Sequence, residues 1–166
     1  MLSTASDALA ASSGTTTQTG KMTVDCQQTL ATAKGRATAK RLHLCGQSTG
    51  GVQPNNTVYG ACGSTTLTLS DGGAGEVNFY EDAISNSGTI DYVAYNVGWT
   101  NFTTGVGGNA SGTGSSPSTY WYHNDHIYTG HGYISASMSG QATLSNGLQC
   151  VFGDANGNLA SDSITV

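Results

Sequence analysis

The densest group of chemically able side chains is the run Tyr120-Trp121-Tyr122-His123-Asn124-Asp125-His126-Ile127-Tyr128-Thr129-Gly130-His131, with three of the four histidines. Imidazoles beside a carboxylate are the raw material of zinc sites and of acid–base pairs. On a strand, however, His123 and Asp125 share one face while His126 takes the other, so ligands do not converge without a bulge. No metal and no cofactor are therefore expected. Nucleophilic catalysis has less support still, because no serine stands in a G-x-S-x-G elbow and no carboxylates pair at a recognisable spacing. The chain reads as non-enzymatic. Its aromatic residues suit another use: Tyr120, Trp121, Tyr122 and His123 form a candidate glycan or partner surface. A ring face stacks on the C–H face of a sugar, and neighbouring Asn124 and Asp125 can orient hydroxyls. The plainer alternative assigns Trp121 to the core and Tyr120 and Tyr122 to a solvent-facing sheet. Asp154-Ala155-Asn156-Gly157-Asn158 spaces oxygens as calcium loops do, but lacks the later acidic residue and reads as an Asn-Gly turn.

Charge supplies the second candidate. The formal balance is −5, yet all five basic residues, Lys21, Lys34, Arg36, Lys40 and Arg41, fall between positions 21 and 41. Of the 10 acidic residues only Asp7 and Asp25 precede Leu42, so a basic segment is joined to an acidic body. Nucleic acid needs a broad positive surface, and the acidic body would repel its backbone. An acidic surface on another secreted protein suits Lys34, Arg36, Lys40 and Arg41 better, with the two arginines able to make bidentate carboxylate contacts. The alternative is a solvated segment folded against its own body.

Cys26, Cys45, Cys62 and Cys150 include no C-x-x-C pair, which removes zinc-ribbon and thioredoxin readings. An even count suggests disulfides, with three pairings open. The expected pair is Cys26–Cys45, bracketing four of the five basic residues, with Cys62–Cys150 tying an early strand to a late one. Both point to an oxidising compartment, hence to a secreted protein whose signal has been removed, since Met1 to Ala11 lacks a basic n-region and an apolar core. No run of about 18 apolar residues marks a transmembrane helix. The sequons at Asn55, Asn101 and Asn109 are of a kind that chance supplies in a chain this rich in Ser and Thr.

These residues need elements to hold them. Residues 1–20 read as a flexible leader, 21–45 as the cysteine-bracketed basic docking segment, 46–57 as a linker and 58–166 as a β-sandwich domain. The segment between Cys26 and Cys45 has no clear assignment: alanines favour helix, while Gly35 and three threonines oppose it. From Val58 onward, short period-2 runs closed by turn residues predict about eight antiparallel strands in a sandwich, with a barrel as the alternative. Ile90–Trp99 is expected to be the longest strand, covered on both faces, and Gly105–Ser118 a Gly/Ser loop. A filament in which residues 1–25 add a strand to a neighbour's sheet is a further alternative.

One stretch carries a resemblance. Tyr59-Gly60-Ala61-Cys62-Gly63-Ser64-Thr65-Thr66-Leu67, a Gly-rich turn, Ser87-Gly88-Thr89-Ile90 and Val97-Gly98-Trp99-Thr100-Asn101 resemble small secreted β proteins of filamentous actinobacteria. Among these the stretch is similar to the adaptor subunits of umbrella toxin particles, and the similarity covers about 59–101. It implies an assembly role, linking a lectin-bearing component to the spokes of a large toxin, with the Cys26–Cys45 segment as the docking arm.

Overall fold

A computed structural model describes residues 14–46, 58–153 and 159–166. Its strands are β1 (Thr15–Val24), β2 (Val58–Gly73), β3 (Glu76–Ser85), β4 (Ile90–Asn101), β5 (Val106–Gly114), β6 (Tyr120–Tyr128), β7 (Tyr133–Leu144), β8 (Gln149–Phe152) and β9 (Ala160–Thr165). Two helices, α1 (Cys26–Ala31) and α2 (Ala33–Arg41), follow β1. The protein is all-β and antiparallel, as the alternation predicts.

Hydrogen bonds run continuously in the order β5-β4-β7-β8-β1-β2-β3-β6, with β9 pairing Tyr133–Met138 of β7 on the same edge that β8 holds at Gln141–Thr143. The sheet folds on itself, so that β5-β4-β7-β9 faces β1-β2-β3-β6. Val93, Tyr95, Val97, Ile134, Ala136 and Met138 from one layer meet Met22, Leu67, Leu69, Phe79 and Trp121 from the other in a single buried core. Sandwich and barrel are thus both partly realised. The layers stack, but β8 joins them by pairing with Gln141–Thr143 on one side and Met22–Val24 on the other. The disulfides are Cys26–Cys45 and Cys62–Cys150. The second joins β2 to β8 where the β1–β2 register is irregular, stapling the seam where each β8 pairing is only three residues deep.

Four sequence expectations change. The leader ends early, because Thr15–Val24 is a strand that pairs with β2 from Thr15↔Ser70 to Val24↔Val58. Its threonines are good strand formers, and Thr17 and Thr68 share a hydroxyl hydrogen bond at 2.9 Å. Residues 15–24 thus pair within their own sheet, with β2 along the strand and with β8 at Met22–Val24, while residues 1–13 of the expected donor segment lie outside the described residues.

The unassigned basic segment is a helical hairpin. Asp25 caps α1 by accepting from the Gln28 amide at 3.0 Å, and Thr32 caps α2 by accepting from the Gly35 amide at 2.9 Å. Gly35 is tolerated in α2 because the backbone approaches closely there: a Cβ would lie 2.1 Å from the Thr29 carbonyl oxygen and 2.8 Å from that of Gly147. The third change is at Gly105–Ser118, most of which is strand β5 rather than loop. Fourth, β4 is hydrogen-bonded on both edges but buries one face only, and β2 is longer, at 16 residues. The expected linker falls outside the described residues apart from Gly46, as do the Asp154–Asn158 turn and the sequon at Asn55.

Candidate functional site

The basic hairpin sits at the end of the molecule where β1 stops. Thr29 docks α1 on β8 by accepting from the Gln149 amide at 2.9 Å, and Thr38 docks α2 by donating to the Asn146 carbonyl at 2.6 Å. Cys26–Cys45 joins the start of α1 to the residue that closes the turn after α2. At about 100° per residue, Lys34 and Arg41 fall close together around α2, while Arg36 and Lys40 lie on another side. The structure follows this geometry. Lys34, Ala37, Thr38 and Arg41 line a groove of about 400 Å³ whose far wall is Asn146. Arg36 turns away and donates to the Leu30 and Ala31 carbonyls at 2.9 and 3.3 Å, satisfying the C-terminal end of α1. Lys40 is exposed outside the groove. Of the four expected docking residues, two share a concave surface and one stabilises the hairpin.

Strand alternation divides the β6 cluster. Tyr120, Tyr122, Asn124, His126 and Tyr128 point outward, while Trp121, Asp125 and Ile127 take the other side buried or half-buried, with His123 on that side but still exposed. Tyr80 of β3 lies beside Tyr122, and Tyr122 beside Tyr120, with near-parallel rings at 5.9 and 5.8 Å. The Tyr80 and Tyr120 hydroxyls are hydrogen-bonded. This bond, with burial as the second cause, raises the Tyr120 phenol above its ordinary range. Trp121 is only 5% exposed, so the core holds it and it is not part of the outer surface.

The inward group forms a polar seam between β6 and the first layer. Tyr95 of β4 donates to Asp125 Oδ2 at 3.1 Å, and His123 Nε2 lies 3.2 Å from Asp125 Oδ1. The Tyr95 ring contacts Trp121 and His123, both with centroids at 5.2 Å. Opposite His123 in register lies Glu81 of β3, fully buried, with neither carboxylate oxygen hydrogen-bonded. Burial first, and then the neighbouring Asp125, push the Glu81 carboxyl up to about 8. Burial and Asp125 also raise the Tyr95 phenol. His126 faces out against Asn78, and no three His, Cys, Asp or Glu among the described residues gather closely enough to hold a metal.

Sequence reasoning placed His123 with Asp125 but missed Tyr95 and Glu81 as their neighbours. Glu81 does sit at a core position of the Val77, Phe79, Ala83 alternation, and a carboxylate in that register was the available signal. Asn101, read as a chance sequon, is a buried hub. Its Nδ2 donates to the Thr129, Gly130 and His131 carbonyls, and its Oδ1 accepts from the Thr103 and Thr104 amides, joining two turns. Compared with protein-family models, curated proteins and solved structures, the chain matches none.

Proposed function

We propose that the protein is a non-enzymatic, secreted adaptor that docks through α2 onto an acidic surface of a protein partner and carries its β body as the linked module. The observation that supports this best is the Lys34–Arg41 groove on a helix whose C-terminal half is fastened to the body by the Thr38–Asn146 hydrogen bond and whose following turn is tied to α1 by Cys26–Cys45. A pre-formed cationic groove loses little conformational freedom on binding, and Arg41 can make a planar two-point contact with a carboxylate. The two disulfides are compatible with an extracellular setting, and no described helix is long and apolar enough to cross a membrane. The resemblance of 59–101 to umbrella-particle adaptors favours the same role, with a lectin-bearing component among the partners.

Affinity capture from native culture medium tests it. The double variant Lys34→Glu, Arg41→Glu should lose a partner that the wild type and Lys40→Ala retain, and wild-type capture should weaken as salt rises. Equal capture by the wild type and the double variant would refute docking through this groove.

A further inference from the structure

The outer face of the first layer carries a second concave surface, far in chemistry from the basic groove. Asn109 of β5, Gly98 of β4, Ser137 of β7 and Ser161 of β9 stand directly opposite one another in register, making one row across four strands. The adjacent row places Thr100 beside Ser135. Together these rows line a trough of about 490 Å³. No charged side chain lines it. Among the described residues, Thr100, Asn109, Ser135 and Ser137 make no side-chain hydrogen bond within the protein. Their donors and acceptors are thus uncommitted and face a common space. The floor is open at Gly98, where a Cβ would meet only Asn109 Oδ1, at 3.4 Å. Phe102, 66% exposed, stands at one end, with its ring 6.0 Å from that of Tyr133.

We propose that this trough binds a neutral oligosaccharide. Uncharged hydroxyl and amide groups match a ligand that is itself dense in hydroxyls and carries no charge, and an exposed ring at the rim stacks on the apolar face of a sugar. An anionic or cationic ligand finds no opposite charge in the lining. Four strands at about 4.8 Å spacing give a row about 14 Å long, room for two or three sugar rings. The volume falls in the range of small-ligand sites. This surface is separate from the Tyr80–Tyr122–Tyr120 group, which lies on the outer face of the other layer, and the proposal does not depend on docking through α2.

The test is an array of neutral and acidic oligosaccharides, followed by calorimetry with the strongest neutral ligand. Gly98→Val, which fills the floor, and Phe102→Ala, which removes the rim ring, should each weaken binding about tenfold or more. Tyr122→Ala should leave binding unchanged. Matching circular dichroism and melting temperature identify folded variants, and Phe102→Ala, at an exposed position, keeps the test valid if Gly98→Val does not fold. Binding to no neutral glycan, binding to acidic glycans only, or binding lost in Tyr122→Ala but kept in Phe102→Ala would overturn the proposal.

Discussion

Glu81 is the residue most at odds with its surroundings: a carboxyl with no exposed surface, no hydrogen-bond partner and Asp125 nearby. Its group is raised from 4.5 to about 8, so the folded chain holds a proton that the unfolded chain releases. Stability from this group is therefore fully present below about pH 4.5, falls as pH rises from 4.5 towards 8, and levels off above that. Urea unfolding at pH 5 and pH 8 should show this loss, and Glu81→Gln should flatten it; a slope unchanged in the variant would place the effect elsewhere. How much of this seam was legible in the sequence follows from the same residues. Alternation along β6 placed His123 beside Asp125, because that contact lies within one strand. Tyr95 and Glu81 come from β4 and β3, and nothing local to either reveals which strands will face each other.

At the scale of the element, β5 shows how a strand can have the composition of a loop. Val106–Gly114 has the composition of a flexible connection, and glycine weakens a strand when nothing else acts on it. Here the missing side chains make room for large ones. A Cβ at Gly108 would lie 3.0 Å from the Trp99 ring, at Gly112 2.9 Å from that of Tyr95, and at Gly114 2.4 Å from Trp121 Nε1. Gly114→Ala should accordingly destabilise the protein by about 1–3 kcal/mol, through a collision that the buried Trp121 cannot easily evade. Thermal melts of the variant beside an exposed control such as Ser111→Ala measure it. Equal melting temperatures would mean that the indole has space to shift. The helices were obscured for the opposite reason. Their cap residues, Asp25 and Thr32, are visible in the sequence, but Gly35 masks α2 until its contact with Gly147 is known.

For the molecule as a whole, the antiparallel, layered β class was legible in the alternation, whereas the sequence left three disulfide pairings open, of which the structure has the expected one, and held no sign that β8 joins the layers. Cys26–Cys45 closes 19 residues and Cys62–Cys150 closes 88. In the chain-entropy account these are worth about 3 and about 4.5 kcal/mol. Replacing Cys62 and Cys150 by Ala should therefore cost more global stability than replacing Cys26 and Cys45. The latter pair should chiefly loosen the helical hairpin and so weaken partner capture. Denaturant unfolding and amide exchange of the two variants separate these effects, and the reverse order would mean that the seam at β8 holds without its staple.

Charge is also distributed along the length of the molecule. β1 runs from the β2–β3 hairpin, which carries Asp71 and Glu76, to the helical hairpin with its cations, about 30 Å away at strand rise. Asp25 and Asp91, near the basic end, do not cancel the five cations clustered there. Among the described residues this separation makes an electric dipole roughly parallel to β1, and on the proposed docking the field of an acidic partner would exert a torque on it before contact. On the proposed docking it would arrive with α2 leading, and dissolved salt, by shortening the reach of that field, would slow arrival more than it loosened the complex once formed.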